Sequence, residues 1–590
     1  MDTSQNNNEI KETASEKTAE SPVSTGGRKE AVLNRLAAHP YIMAFVLCMV
    51  LTPFCFGGLN YVPSYAVPVT AILLAAVSAF LIARRCYRAH SPIHKYVLWL
   101  SAAGAAAAVS SGAYLRSENK AAWIMLGGSW ILLAVYSLVY NEKIKHKLNS
   151  MLIIGLGFMM KLSYVLGTSV YSRQHDNGEF TLNELRQGHL GYIAYLYQNH
   201  HLYPEDYRQM LQYCHPPFHH TISAVWVYIM HDIFRIEISE AVESIQMLTL
   251  FYSVTIVISA YYIFRYFGLE GRNLYIPLAI TSFHPCFTFL ASLINNDPLM
   301  WALVMGAMVN TLKWYREPSL KRIMYISLCI GLAMMTKVSA ALVAPPVAIV
   351  FLAVFIRDIK TSWKKLLGQF ISFGAVCIPL GMWFPVRGLV KFGIPLNYVQ
   401  ELPKGLEQDI SGISFVKRIT DLSPVQFRNV FENWYSGEEA GSFNEQNPLI
   451  AILKNSIFSE FIRESKFDNA KYMLPVCRVL FWLGVFIAAA ALAAMIYTFV
   501  KDKTMNWVCK VFFGSFYLLL VGNLYLMSAK YPLVCTMNFR YLMPAVIIGS
   551  LFIGMALRRL SSKKVQLAAG AAAAVFSVLS AAVYTSVVCL

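Results

Sequence analysis

Charged residues are scarce in this sequence. They make up 14% of its 590 residues, against about 25% in an ordinary soluble domain. Several catalytic motifs are also missing: there is no Gly-x-x-x-x-Gly-Lys-Ser loop for nucleotide phosphates and no Gly-x-Ser-x-Gly elbow. The 11 cysteines include no Cys-x-x-Cys pair. These absences argue against an ATP-driven pump and an ordinary hydrolase, and they leave the cysteines as packing residues.

Long apolar runs make up much of the sequence. Hydrophobic residues make up 56% of the chain, and runs of about 20 residues, enough to cross a bilayer, recur from Tyr41 to the end. The sequence therefore predicts an all-α polytopic membrane protein. The net charge of +17 comes from Lys and Arg in loops that are expected to stay cytoplasmic. Since no basic face or aromatic platform is present, we expect contact with membrane lipids and not with nucleic acid.

The composition changes along the chain and divides it into five parts. Residues 1–38 are rich in Ser, Thr, Glu, Lys and Asn, which is typical of a disordered tail. The parts expected are this cytoplasmic tail, an extra four-helix membrane module (39–148), a membrane core (149–386) with an external loop (170–240), a second external loop (387–473) and C-terminal transmembrane helices (474–590).

The basic loops predict the topology. If the N-terminus is cytoplasmic, the basic segments after the second and fourth candidate spans are cytoplasmic too. The segments "RDIKTSWKK" (357–365) and "RRLSSKK" (558–564) are also inside, provided that 217–234 does not cross fully. We therefore predict fifteen full spans, with 217–234 at the outer surface or re-entering from it. The spans are 41–59, 66–84, 96–114, 121–140, 149–169, 242–264, 273–292, 299–315, 322–336, 338–357, 367–386, 476–499, 507–527, 541–557 and 566–588.

This topology brings acids and bases from distant segments to the outer face. The acids are Asp176 and Glu179 in "VYSRQHDNGEF" and Asp297 in "NNDP". Ionisable residues at membrane depth are costly and by default indicate function, although Asp297 also fits a helix cap. The cations are Lys337, Arg387 and Arg540. A cation at a helix end is often an interface anchor, but three on the outer face oppose the positive-inside bias, which favours an anion ligand such as a lipid phosphate.

The stretch "HPPFHH" (215–220) contains three histidines. A metal site would need two histidines on one helical face and a carboxylate. His215 and His219 have that spacing only if a helix begins early, and Pro216 and Pro217 stand between them. The interpretation favoured here is a rigid turn that begins a helix, and no metal ligand is assigned.

From Met151 onward, the order of these elements resembles the membrane-embedded GT-C glycosyltransferases. It is most similar to the glycosyltransferase family 39-like group, which includes protein O-mannosyltransferases and the lipid A aminoarabinose transferase. The matching elements are Asp176, His215–Pro216–Pro217, Asn296–Asp297–Pro298, Thr336–Lys337, "WFPVRGLVKFGIPLNYV" (383–399) and "FRYLMPA" (539–545). The chain departs from the family where an Asp-Glu pair is common, since Asn177 follows Asp176 and the nearest glutamate is Glu179.

The resemblance implies a reaction. Enzymes of this group take a sugar from a polyprenyl-phosphate donor and transfer it to a glycan, lipid or protein acceptor outside the cytoplasm. It implies inverting transfer at an extracytoplasmic active site, with Asp176 as general base and Asp297 orienting the acceptor or holding a cation. The substrate-binding candidates are Glu179, His215, His219, Asn296, Lys337, Arg387 and Arg540. No cofactor is firmly implied, and a divalent cation is left open.

A secondary transporter or flippase for a lipid-linked or anionic substrate is the alternative. Such a protein would carry acids or bases near span centres and two similar halves with broken helices. The sequence has no internal repeat and no acid in the middle of a span, so the enzyme is favoured.

Overall fold

The computed structural model describes residues 39–55, 66–89, 120–140, 142–174, 176–400, 408–423, 427, 429–432 and 445–589. The expected tail (1–38), the candidate span 96–114 and His175 lie outside these ranges. The chain divides into two units, Met1–Met43 and Ala44–Leu590. Of the first unit, only the beginning of helix α1 is described.

The described residues form helices and no strands, which confirms the all-α prediction. The helices are α1 Pro40–Leu51, α2 Ala66–Ala89, α3 Lys120–Val139, α4 Lys145–Leu166, α5 Gly188–Asn199, α6 Phe218–Tyr228, α7 Ile238–Glu243, α8 Ile245–Tyr266, α9 Arg272–Phe283, α10 Pro285–Ser292, α11 Asp297–Arg316, α12 Leu320–Met334, α13 Ala344–Phe392, α14 Phe415–Thr420, α15 Pro448–Phe458, α16 Met473–Lys501, α17 Trp507–Lys530, α18 Pro544–Leu560 and α19 Lys563–Cys589. Short 3-10 turns lie at Val338–Val343, after Lys337, and at Phe539–Tyr541.

The helices coincide with the candidate spans that fall within the described ranges. Eight of the described helices are long and apolar enough to cross a membrane, or nine if the bent pair α9–α10 is counted as one span. The prediction of fifteen is higher partly because it counts shorter helices, such as α12 with 15 residues and α18 with 17. The positions of the helices are confirmed, and the number of crossings stays a prediction.

Helix α13 contains two of the candidate spans and reverses direction between them. Ser362 has non-helical dihedral angles, with φ −139° and ψ 15°. Phe351 and Phe370 stack with ring centroids 5.4 Å apart, whereas one continuous helix would separate them by about 28 Å at 1.5 Å per residue. The two arms therefore fold back on each other, and the basic segment 357–365 lies at the reversal.

The segment 217–234 forms α6 and a π-helix, Ile229–Ile233. Its two sides differ, since Val225 and Tyr228 are exposed while His219 and His220 are fully buried. It is not among the described helices that are long and apolar enough to cross. Its place at the outer surface stays a prediction.

The part of the N-terminal module that is described has a small core of its own. Helices α2 and α3 pack together, and α3 also packs on α4. This core is separate from the large core, whose buried residues extend from Ala121 in α3 to Val587 in α19. It contains Ile82, Leu126, Trp130, Leu133, Tyr136, Tyr140 and Leu148.

Candidate active site

Four charged side chains from four separate segments meet at one place. The Asp297 Oδ1 atom lies 2.6 Å from Lys337 Nζ, and its Oδ2 atom lies 3.7 Å from Arg540 Nε. The Arg540 Nη2 atom lies 3.8 Å from Asp176 Oδ2. We call these four residues the charge cluster. They lie in the segment between α4 and α5, at the beginning of α11, just beyond the end of α12 and just before the beginning of α18.

Two adjoining loops hold Asp297 and Lys337. Asp297 is the first residue of α11, and its N–H donates to Asn295 Oδ1 at 3.0 Å. The N-cap of α11 is Asn296 and not Asp297, and the Asn296 side chain makes no capping bond. Asn296 Nδ2 donates to the Thr336 carbonyl at 3.2 Å, which joins the loop before α11 to the loop after α12. This bond keeps Lys337 within reach of Asp297.

The beginning of α5 holds Asp176. The His189 N–H donates to the Asp176 carbonyl at 3.0 Å, and the Leu190 N–H donates to the Asn177 carbonyl at 2.7 Å. The first N–H groups of a helix lack partners within the helix, so this contact satisfies them and fixes the loop. The approach needs Gly188, which has φ +90° and where a Cβ would lie 2.6 Å from the Asn177 carbonyl oxygen.

Gln174 ties the same loop to the segment before Asp297. Its Nε2 donates to the Ser292 carbonyl at 2.7 Å, and its Oε1 accepts from the Ile294 N–H at 2.9 Å. Sequence analysis did not select this residue, because a single glutamine at the end of an apolar run has no distinguishing pattern. The two bonds set the distance between the segments that carry the two aspartates.

The ring of Tyr541 lies beside both cations of the charge cluster. Lys337 Nζ and Arg540 Cζ are each 5.0 Å from the ring centroid, within the range of a cation–π contact. Arg540 Nη2 also donates to Tyr541 Oη at 2.9 Å. The phenol oxygen of Tyr541 thus accepts a bond from one cation while its ring faces both.

The four members of the cluster differ in exposure. The exposed fraction of the side chain is 1% for Asp297, 7% for Arg540, 14% for Lys337 and 33% for Asp176. Two carboxylates and two cations balance in charge, which suits a buried site, because an unpaired buried charge is costly. Asp176 is the member most open to a ligand.

Residues 215–383 match the family model described as dolichyl-phosphate-mannose-protein mannosyltransferase. The segment is similar to these membrane glycosyltransferases. The family resemblance predicted from the sequence is thereby confirmed over these residues. Together with the apolar helices, the match indicates an integral, multi-pass membrane glycosyltransferase of the mannosyltransferase type. A comparison with curated proteins finds no match.

The mannosyltransferase-like segment covers less than half of the chain. It begins at His215, includes Asn296, Asp297 and Lys337, and ends before Arg387. Asp176 and Arg540 lie outside it. The ion pairs described above bring these two residues to the matched segment.

His215 lies within electrostatic reach of the whole charge cluster. Burial, and to a lesser extent the positive charge of Lys337, lower the pKa of His215 to about 3. The imidazole is therefore neutral at pH 7 and can both donate and accept a hydrogen bond. Pro217 directly precedes α6, so the predicted turn that begins a helix is confirmed.

His219 lies on the buried side of α6, and its two ring nitrogens have no hydrogen-bond partner among the described residues. The neighbouring His220 shares a hydrogen bond of 3.0 Å with His189. Within the described part of the chain, no group of three His, Cys, Asp or Glu side chains is arranged to hold a metal ion.

Two predicted site residues lie away from the charge cluster. Arg387 donates from Nη2 to the Tyr203 carbonyl at 2.7 Å and lies over the ring of Phe392. Glu179 is exposed, and its charge acts on Tyr171. The side chains that the structure brings together are thus Asp176, Asn296, Asp297, Lys337 and Arg540, with His215 beside them.

Proposed function

We propose that this protein transfers a sugar from a polyprenyl-phosphate donor to an acceptor on the extracytoplasmic side of the membrane. The observation that carries the proposal is the charge cluster, in which Arg540 lies 3.7 Å from one aspartate and 3.8 Å from the other. The match over residues 215–383 supports the transferase class. The donor class and the role of Asp176 are open to a direct test by release of the lipid phosphate.

Asp176 is proposed as the general base. A base must reach the proton that it removes, and the side chain of Asp176 is 33% exposed whereas that of Asp297 is 1% exposed. Asp297 also makes the 2.6 Å ion pair with Lys337. These contacts favour Asp297 as a counter-ion that orients the two cations.

The proposed step is a single displacement. An acceptor O–H or N–H attacks the anomeric carbon on the face opposite the lipid phosphate, and its proton passes to the Asp176 carboxylate. The bond between the anomeric carbon and the phosphate oxygen breaks, and its electron pair stays on the polyprenyl phosphate. The sugar configuration is inverted.

Lys337 and Arg540 are proposed to bind the lipid phosphate. A phosphate is a weak base, so its departure needs positive charge more than a proton donor. Both cations lie beside the Tyr541 ring, which supports a fixed spacing between them. Arg387 is proposed at the edge of the site, since its guanidinium contacts Tyr203 and Phe392.

The test is release of polyprenyl phosphate from a panel of polyprenyl-phosphate sugars by the purified protein. Wild type should release it with at least one donor. Asp176→Asn should be slower by about 100-fold or more, the range for loss of a general base. Asp468→Asn is the matched control, because Asp468 is exposed on the second external loop. Equal rates for wild type and Asp176→Asn would refute the role of Asp176, and no release from any donor would refute the donor class.

A transporter is the second candidate, and one observation favours it. Helices α9 and α10 form a span bent by 41° at His284, and Lys161, five residues before the end of α4, is 1% exposed. Lys161 Nζ donates to the Ser282 carbonyl at 2.5 Å, at the end of α9. Broken helices with a buried ionisable group are typical of transport sites. The test is uptake of a lipid-linked or anionic substrate into proteoliposomes. Uptake by wild type that is abolished in Lys161→Met would favour this candidate.

A further inference from the structure

Helix α15 belongs to the segment predicted as an external loop, yet it carries buried polar side chains. Lys454 and Asn455 are 0% exposed. Lys454 Nζ forms a 2.7 Å ion pair with Glu445, which is also 0% exposed. Burying polar groups costs free energy unless each finds a partner, so a helix that only filled space would be apolar on this side.

Asn455 connects this helix to the segment that contains Arg540. Its Nδ2 donates to Glu432 Oε2 at 2.7 Å, and its Oδ1 accepts from the N–H of Phe539 at 3.1 Å. Glu432 is itself buried, at 3% exposed. The backbone just before Arg540 is thus held by a side chain that is 84 residues distant in the sequence.

The backbone of Arg540 itself is held on both sides. Its N–H donates to Asn538 Oδ1 at 2.9 Å, and its carbonyl accepts from Trp301 Nε1 at 2.8 Å. Asn538 is held in turn, since its Nδ2 donates to Glu460 Oε2 at 2.6 Å. Glu460 lies two residues after the end of α15, so the same external segment supports both asparagines.

The guanidinium of Arg540 is held less firmly by the two aspartates than its backbone is held by these hydrogen bonds. Its distances of 3.7 and 3.8 Å to Asp297 and Asp176 are too long for hydrogen bonds, and Arg540 Nε has no hydrogen-bond partner among the described residues. The bond to Tyr541 comes from the adjacent residue and moves with the same backbone. The position of the cation between the aspartates therefore depends on the anchors of the backbone.

We propose that Asn455 and Asn538 are positioning residues for Arg540, so that the external segment 445–460 forms part of the machinery that acts on the lipid phosphate. This deepens the proposed function and rests on it. Neither asparagine touches the reacting atoms in this proposal. They act by fixing where the positive charge lies relative to the phosphate.

The first measurement is independent of activity. Hydrogen exchange of a peptide that covers residues 534–543 is compared between wild type, Asn455→Ala and a control. Asn310→Ala is the control, because Asn310 is a half-buried asparagine that bonds to the Gly306 carbonyl within α11. Exchange at Phe539 and Arg540 should be at least tenfold faster in Asn455→Ala and unchanged in the control. Unchanged exchange in Asn455→Ala would overturn the proposal, whether or not the protein proves to be a transferase.

The second measurement separates positioning from a merely structural role. In the donor assay, Asn455→Ala should lower kcat/KM by about tenfold, as expected for loss of one well-placed hydrogen bond, and the loss should lie mainly in kcat. In a protein that already carries Arg540→Lys, adding Asn455→Ala should lower kcat/KM by less than about threefold, because the guanidinium that Asn455 positions is no longer present. Equal effects in both backgrounds would overturn the proposal. Asn538→Ala provides a second variant if Asn455→Ala does not fold.

Discussion

Replacing Asp297 by asparagine is expected to destabilise the protein more than replacing Asp176 by asparagine. The two aspartates contact the same cation, but their surroundings differ. Asp297 is 1% exposed and lies 2.6 Å from Lys337, whereas Asp176 is 33% exposed and lies 3.8 Å from Arg540. If the structural role lies with Asp297 and the proton transfer with Asp176, substitution of Asp297 will lower the stability of the protein more than substitution of Asp176.

The magnitude follows from the burial of the partners. Removing one member of a buried ion pair costs about 3–5 kcal/mol, since the other charge stays buried without compensation. Lys337 is 14% exposed and can be partly solvated, so we expect the lower end, about 3 kcal/mol. For the partly exposed Asp176, solvent screening reduces the cost to about 1 kcal/mol or less. Both variants should lose activity.

The assay is thermal unfolding in one detergent, followed by intrinsic tryptophan fluorescence. Asp297→Asn should unfold well below wild type, and Asp176→Asn should unfold close to it. The double variant Asp297→Asn/Lys337→Met removes both members of the pair and should be more stable than Asp297→Asn alone, because no charge is left unpaired. The reasoning is refuted if Asp297→Asn is as stable as Asp176→Asn, or if the double variant loses the sum of the single losses.

Three further predictions concern the loop, the histidine and the topology. Gly188→Ala should abolish transfer, because its Cβ would lie 2.6 Å from Asn177, while Gly393→Ala, with positive φ in open space, should keep most of it in the same assay. Burial lowers the pKa of His215 to about 3 in the folded protein, whereas an unfolded chain has a histidine pKa of about 6.5. Between these two pH values only the unfolded chain binds the proton. The free energy of unfolding should therefore fall as the pH falls from about 6.5 toward 3. The unfolding temperature of His215→Asn should therefore fall less between pH 6.5 and pH 4. A reporter fused after Lys365 should read as cytoplasmic, and an external signal would refute the topology.

The sequence predicts that the site residues lie on the same side of the membrane, but it does not predict which of them are in contact. The distribution of Lys and Arg among loops placed Asp176, Asp297, Lys337 and Arg540 together, and the ion pairs agree with that expectation. The pairing of Asp297 with Lys337 could not be predicted, because it depends on how two loops 40 residues apart lie against each other. The distribution of charge among the loops indicates on which side of the membrane a residue lies, but it does not indicate how far apart two residues are.

Arg387 was grouped with the other cations by the same argument and lies elsewhere. It is near the end of the second arm of α13, and its guanidinium bonds to the Tyr203 carbonyl. Asn455 and Gln174 were not found at all, because bonds from a side chain to a distant backbone group leave no periodic pattern in the sequence. Lys161 differs from these residues, because an ionisable side chain in the middle of an apolar run is itself a signal of function in the sequence.

The balance of charge in the cluster suits the proposed reaction at each stage. Before reaction the two cations and the two aspartates sum to zero, and the donor brings one negative charge on its phosphodiester. During transfer the Asp176 carboxylate takes the acceptor proton, so the four side chains gain one positive charge. At the same moment the departing polyprenyl phosphate gains one negative charge. Because the site is largely shielded from water, this compensation within a few ångströms is worth more than it would be in solvent. A neutral resting cluster with one partly exposed aspartate thus becomes a cationic site only as the leaving group forms, which stabilises the transition state more than the bound donor.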